Sequence, residues 1–315
     1  MNLVPQPVVL RSARTIFAAL LLGSLALVPT VATSLDQTFY ITLATRILVF
    51  ALAASGLNLL LGYGGLVSFG HALYIGLGAY VVGILSVYGI VNGWLQLIVT
   101  VLLCAVVAIS TGAISLRTSG IAFIMITLAF AQMFYFVAIS LKQFGGDDGL
   151  QITARSDFWP LSIQSNTCLY YLAYVLLVLT LYLLWRLVHA RFGRVLRACN
   201  SNSARMKVLG FPVFRYQVTA YVISGCVCGV SGLLLANLTN FTSPAYMSWT
   251  ASGDIIVMVM LGGMSSILGP LIGAIAYVAL ETLLADFTQH WMLFLGPIIV
   301  LIAFAKRGLY GFISA

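Results

Sequence analysis

Long apolar segments recur along the whole chain, separated by short polar or glycine-rich gaps. A helix needs about 20 apolar residues to cross a bilayer, and each segment approaches that length. The pattern predicts ten spanning helices. They lie near residues 16–33, 40–61, 71–90, 95–116, 119–141, 168–188, 216–238, 252–268, 271–287 and 291–305. We therefore expect an all-α, polytopic transmembrane bundle that forms one domain over residues 1–315.

A glycine-rich segment follows the second predicted span. Glycine inside a helix costs about 1 kcal/mol relative to alanine, so we expect the helix to break within Gly62–Gly70. The segment either turns tightly between two spans or re-enters the membrane and lines a substrate path, as broken helices do in transporters. Its polar side chains, besides Tyr63, are Ser68 and His71.

A shorter glycine-rich segment, Gly262–Gly273, resembles the first one. Gly65 and Ser68 have the same spacing as Gly263 and Ser266, and each pair follows a span predicted to run from outside to inside. This correspondence favours two halves related by an internal repeat.

Lysine and arginine set the predicted orientation, because cytoplasmic loops carry an excess of both. Basic pairs flank the first and last spans, and seven basic residues with no acidic one occur from Arg186 to Arg215. A count of ten spans places all three regions on one side. We therefore expect both termini in the cytoplasm, with a cytoplasmic loop at about 189–215 and an outer loop at about 142–167.

Composition supports a membrane location. Hydrophobic residues make up 62% of the chain and charged residues 7%, whereas soluble proteins carry about 25% charged residues. The net charge of +8 does not indicate nucleic acid, since the basic residues lie in the gaps between spans. The cysteines and histidines show no metal-ligand spacing. The N-terminal basic and apolar stretch also resembles a cleaved secretory signal, but the many later spans favour an uncleaved first helix.

Two further observations limit the chemistry. The sequence contains no phosphate-binding G-x-x-x-x-G-K-[ST] loop, no nucleophile elbow and no HExxH pair. We therefore expect no catalytic residues, and ATP would be bound by another subunit. The candidate intramembrane charges are Arg46, Asp254 and Glu281. All three fall within a turn or two of a predicted span end, which favours interfacial placement.

The cytoplasmic loop contains a helix signal. Ser201 or Ser203 is placed to cap a helix of two or three turns through ARMKVL, which would stop at Gly210 before Pro212. So short a helix is unstable alone in water. It therefore needs a docking surface on a partner protein, or else the loop lies on anionic lipid headgroups.

Four ordered sequence blocks resemble the branched-chain amino-acid permeases of ABC importers, specifically the LivM type. The blocks are LNLLLGYGGLVSFGHALYIGLGAY, then GIAFIMITLAFAQMF with GGDDGL, then GRVLRA with LGFPVFRYQVTAYVISG, and VMVMLGGMSSILGPLIGA. The resemblance implies a bacterial inner-membrane complex of a second homologous permease, two cytoplasmic ATPases that bind ATP and Mg²⁺, and a periplasmic substrate-binding protein. The implied substrates are branched-chain amino acids, or alternatively urea, short amides or aromatic acids.

The resemblance also implies roles for individual residues. Those expected to couple the chain to an ATPase are Asn202, Ala204, Arg205, Lys207, Val208, Leu209 and Gly210. Those expected along the translocation path are Gly65, Ser68, Phe69, His71, Thr127, Gly263 and Ser266.

Two other classes of function remain open from the sequence. A self-sufficient ion- or proton-coupled carrier would use a buried carboxylate, Glu281 or Asp254. A membrane enzyme would need clustered polar side chains, and the outer loop 142–168 is the one such cluster, although it reads more simply as a solvated loop facing a binding protein.

Overall fold

The computed structural model describes residues 8–34, 38–158, 161–162, 165–264 and 266–287, with the isolated positions 293 and 296–297. The helices are α1 Val8–Ser34, α2 Thr38–Asn58, α3 His71–Val87, α4 Gly93–Ser115, α5 Ile121–Ser140, α6 Asn166–His189, α7 Arg191–Ser201, α8 Ser203–Val208, α9 Val213–Thr239, α10 Trp249–Gly262 and α11 Gly269–Phe287. A π-helical turn, Leu59–Tyr63, extends α2. Short 3₁₀ turns cover Lys142–Phe144 and Pro244–Met247, and the strands are β1 Leu150–Gln151, β2 Asp157–Phe158, β3 Leu161–Ser162 and β4 Phe241–Thr242.

Six of the described helical segments are long and apolar enough to cross a membrane. They are Thr38–Tyr63, Gly93–Ser115, Ile121–Ser140, Asn166–His189, Val213–Thr239 and Gly269–Phe287. Three shorter apolar helical stretches are Ala18–Thr33, His71–Val87 and Trp249–Gly262. The predicted all-α, polytopic bundle is confirmed. The tenth predicted span, 291–305, lies almost wholly outside the described residues, so the number of crossings stays a prediction.

Helix α9 is the centre of the bundle, and α2, α3 and α4 pack around it. The contact with α3 is so close that a Cβ at Gly78 would overlap the carbonyl of Gly229, and one at Gly232 would overlap the carbonyl of Ile75. In lipid, helices associate by such backbone approach, because burial of apolar surface gives no advantage over contact with the acyl chains.

A second group of helices flanks this centre. Helices α10 and α11 pack against each other and against α2. They approach so closely that a Cβ at Gly273 would overlap the carbonyl of Met258. Helix α6 also packs against α2 and contacts α1 through two tyrosines. The Tyr174 hydroxyl donates to the Leu22 carbonyl at 3.0 Å, and Tyr170 donates to the carbonyl of Leu25.

The bundle has two distinct ends. At the strand end, β1 pairs antiparallel with β4, and the Asp157 amide donates to the Val91 carbonyl at 2.6 Å. At the basic end, α7 and α8 lie beside the π-helical turn and the start of α9. Neither the strands nor α7 was predicted from the sequence. The polar gaps between spans therefore fold into defined structures at both ends.

Candidate functional site

The first glycine-rich segment breaks the helix, as predicted, but later than its first glycine. Gly62 and Tyr63 belong to the π-helical turn, and regular helix resumes at His71. Gly65 has a φ of +67°, a backbone conformation that side chains with a Cβ disfavour. The chain thus reverses direction over residues 64–70 and enters α3.

Buried polar groups hold this reversal in place. The Gly70 amide donates to Ser68 Oγ at 3.3 Å, and Ser68 Oγ lies 3.0 Å from His71 Nδ1. The His71 ring also meets the Tyr74 and Tyr221 rings edge-on, at 5.7 and 5.3 Å between centroids. Ser68 and His71 have no exposed surface. Ser68 therefore stabilises the turn that precedes α3 and orients the imidazole.

Helix α5 reaches the same segment. The Phe69 amide donates to Thr127 Oγ1 at 3.2 Å, and the Ala72 amide donates to Ser252 Oγ on α10 at 3.1 Å. The structure therefore brings Gly65, Ser68, Phe69, His71 and Thr127 into one region.

The second glycine-rich segment lies beside α2 at the same end. Gly263 has a φ of +109°, Ser266 Oγ donates to the Gly263 carbonyl at 3.0 Å, and Asn58 Nδ2 donates to the Ser266 carbonyl at 2.8 Å. The next helix, α11, starts at Gly269, three residues after Ser266, just as α3 starts three residues after Ser68. The predicted correspondence therefore extends to local backbone geometry.

The loop predicted to be cytoplasmic folds as two helices, α7 and α8. The side chain of Asn202, rather than the predicted Ser201 or Ser203, caps α8 by accepting from the Arg205 amide at 2.9 Å. Helix α8 has six residues, which is shorter than the two or three turns predicted. An Asn side chain competes equally well for an N-cap, and the left-handed Gly210, with a φ of +82°, soon reverses the chain.

Every residue predicted to couple to an ATPase, from the N-cap Asn202 to Gly210, is exposed. Val208 is 88% exposed and Leu209 is 63% exposed. Met206 faces the other way and packs with Cys199 of α7 and Val213 of α9. One side of α8 thus packs against the bundle, and its other side is exposed.

Sequence reasoning missed α7, although its pattern carries a signal. Val195, Leu196 and Cys199 recur at helical spacing among the three arginines of the helix, and Leu196 and Cys199 are buried. Burial raises the pKa of the Cys199 thiol above its ordinary value. This amphipathic pattern indicates a helix that lies on the end of the bundle.

Asn200 connects the loop to the first glycine-rich segment. Its Nδ2 lies 3.5 Å from the Tyr63 carbonyl, and a Cβ at Gly65 would overlap its Oδ1. No sequence pattern distinguishes Asn200 from the other polar residues of the loop. The contact joins the predicted coupling surface to the predicted path residues.

The three candidate intramembrane charges, Arg46, Asp254 and Glu281, lie together near the strand end. Arg46 Nη2 is 2.8 and 3.1 Å from the two carboxylate oxygens of Glu281. The Tyr277 hydroxyl donates to Asp254 Oδ1 at 2.7 Å. Arg46 and Glu281 therefore form an ion pair, whereas Asp254 is bonded to a neutral hydroxyl. The predicted placement of these residues at the membrane interface stays a prediction. They face a cavity of about 740 Å³ between α2, α9, α10 and α11.

Comparison with known proteins gives a family. The family described as branched-chain amino acid transport system / permease component matches residues 39–303. The chain belongs to this family. LivM of Escherichia coli K12 is 28% identical over 285 residues, which cover 83% of this chain and 67% of LivM. The resemblance inferred from the four sequence blocks is therefore confirmed.

Other members match over similar spans. LivH of Escherichia coli K12 is 26% identical over 253 residues, covering 74% of this chain and 81% of LivH. A probable LivM of Methanocaldococcus jannaschii is 24% identical over 277 residues, covering 75% of this chain and 78% of that protein. No solved structure matches the chain significantly. The permease family and the apolar helices together make this chain a multi-pass membrane transport component.

Proposed function

We propose that this chain is one of two permease subunits of an ATP-driven importer for branched-chain or related small amino acids, located in the bacterial inner membrane. The observation that carries the proposal is the family match over residues 39–303. Both LivM and LivH, permease proteins of the high-affinity branched-chain amino acid transport system in one organism, resemble the chain. This supports a second, homologous permease as partner.

The orientation follows from charge. Helices α7 and α8 contain most of the basic residues between Arg186 and Arg215. The positive-inside rule assigns such a region to the cytoplasm. The strand end then faces the periplasm and a substrate-binding protein. Ten crossings place both termini in the cytoplasm.

The ATPase stroke enters through α8. Its exposed side chains Val208 and Leu209 supply apolar contact, and Arg205 and Lys207 supply charge for a groove on a cytoplasmic ATPase. Movement of α8 passes through Met206 to α7 and α9. From α7, Asn200 transmits it to the glycine-rich reversal at residues 64–70. ATP and Mg²⁺ are bound by the ATPase, and this chain alternates the access of the path.

The test is gentle detergent extraction of the tagged native protein, followed by mass spectrometry of the proteins that co-purify. We expect a second permease and ATPase subunits with phosphate-binding loops. A homogeneous protein that purifies alone and catalyses uptake alone would overturn the proposal in favour of a self-sufficient carrier. In that case Glu281 and Asp254 would be the first residues to replace.

A further inference from the structure

The cavity lined by Arg46, Glu281 and Asp254 extends to the strand end. Its lining includes Phe39, at the start of α2, and Thr239, at the end of α9. Arg46 lies eight residues beyond Thr38, which places it about 12 Å down the helix. The cavity therefore reaches into the membrane from the side where a binding protein would deliver substrate.

Arg46 has hydrogen-bonding capacity to spare. One terminal nitrogen, Nη2, serves both oxygens of Glu281, whereas a guanidinium carries five N–H donors. The group also lies 5.6 Å from the centre of the Phe50 ring, and 40% of the side chain is exposed. Because the cavity includes Arg46 in its wall, the remaining donors are available to a ligand carboxylate, which arginine binds in a fork.

Asp254 offers the opposite charge. Its carboxylate accepts one hydrogen bond, from Tyr277. Among the residues that the structure describes, no cationic group lies within 4.0 Å of it. Asp254 and a second acidic residue, Asp286, both line the cavity. An ionised group inside the membrane is expensive, about 2.5–3.5 kcal/mol on insertion scales. Arg46 and Glu281 form an ion pair, whereas the Asp254 carboxyl has only the neutral Tyr277 hydroxyl as a hydrogen-bond partner among the described residues.

The remaining wall is largely apolar. Phe50 comes from α2, Ile75 from α3, Leu235 from α9 and Ile255 from α10. Ligand cavities have this composition, with apolar walls and a few polar groups that fix orientation. A guanidinium, a carboxylate and an aliphatic surface together complement a zwitterion that carries an apolar side chain.

We propose that this cavity is a receiving site for an aliphatic amino acid, in which Arg46 binds the α-carboxylate and Asp254 binds the α-ammonium group. Glu281 orients the guanidinium, and Tyr277 orients the Asp254 carboxylate. The proposal rests on the importer function proposed above. It assigns a binding site to the cavity near the strand end of this chain. The Ser68–His71 segment adjoins the wall of this cavity, because the Ala72 amide donates to Ser252 Oγ on α10 at 3.1 Å and Ile75 lines the cavity.

The test uses the full chain in lipid nanodiscs and three probes: leucine, 3-methylbutylamine, which lacks the carboxylate, and 4-methylpentanoate, which lacks the amino group. We expect leucine to bind more tightly than either analogue. Asp254→Asn retains an acceptor for Tyr277, and we expect it to weaken leucine and amine binding by about ten- to a hundred-fold while 4-methylpentanoate binding stays as in the wild type. This unchanged probe shows that the variant is folded.

Two further variants sharpen the test. Arg46→Gln should show the reverse pattern, with weaker binding of the two carboxylate probes and unchanged binding of the amine. Asp148→Asn, an exposed position in the outer loop, removes the same charge away from the cavity and should match the wild type. Equal leucine binding by Asp254→Asn and wild type, or no saturable leucine binding in the millimolar range, would overturn the site.

The outcome is independent of the importer assignment. If ATPases co-purify with the chain and the charge-matched pattern is absent, the receiving site alone is wrong. If the pattern is present and the chain purifies and transports alone, the site stands and the importer proposal fails.

Discussion

At the scale of single residues, Gly65 is the position that links the first glycine-rich segment to α7. It combines a left-handed backbone, with a φ of +67°, and direct contact with Asn200. The residue therefore sets both the path of the chain into α3 and its distance from α7. A side chain at this point would push apart the two parts that the proposed mechanism couples.

We predict that Gly65→Ala lowers both thermal stability and uptake. The left-handed backbone alone costs about 1–2 kcal/mol for a residue with a Cβ, and overlap with Asn200 adds to it. Gly120→Ala is the matched control, because Gly120 has a φ of +62° and an added Cβ would meet nothing within 4 Å. We expect Gly65→Ala to be the worse of the two and Asn200→Ala to remove the excess. Equal melting temperatures for the two single variants would contradict the contact.

At the scale of elements, apolar length predicted the membrane helices well, because hydrocarbon admits few alternatives to a helix. It could not predict β1 and β4, because strands of two residues are too short to show an alternation of apolar and polar positions. It also missed the α8 cap. Ser201, Asn202 and Ser203 are adjacent residues of similar capping ability, so packing of Met206 decides which one sits at the helix start.

The turn that follows α8 provides a test of the proposed role of this helix. Gly210 has a φ of +82°, and a Cβ added there would meet nothing within 4 Å. A valine at this position therefore strains the backbone without an overlap between its Cβ and neighbouring atoms. We predict that Gly210→Val shifts α8 and uncouples ATP hydrolysis from uptake in proteoliposomes that contain the whole importer. Gly89→Val, with a φ of +73° and equal space, carries the same strain at the strand end and should stay coupled. Wild-type coupling in Gly210→Val would refute the role of α8.

At the scale of the whole molecule, sequence reasoning gave the family and the general architecture but not the arrangement of the helices. The central place of α9 depends on Gly229 and Gly232, whose partners on α3 are distant in sequence. The ion pair of Arg46 and Glu281 joins residues 235 positions apart. Contacts at such separation leave no trace in local periodicity, which is why the sequence did not predict this ion pair.

Orientation is the whole-molecule property that two cysteines can test. Cys168 is exposed in the first turn of α6 at the strand end, whereas Cys199 lies in α7 at the basic end and is 4% exposed. We predict that a membrane-impermeant maleimide labels Cys168 in intact spheroplasts and that Cys168→Ser abolishes this labelling.

In opened membranes Cys199 should react slowly, because burial raises its thiol pKa and lowers the reactive thiolate fraction at a given pH. Its rate should therefore continue to rise at pH values where an ordinary thiol is already ionised, and should reach ordinary values after denaturation. Labelling of Cys168 only after the membranes are opened would place the strand end in the cytoplasm. The proposed ATPase contact at α8 and the receiving cavity at the strand end would then both be on the wrong side of the membrane for import.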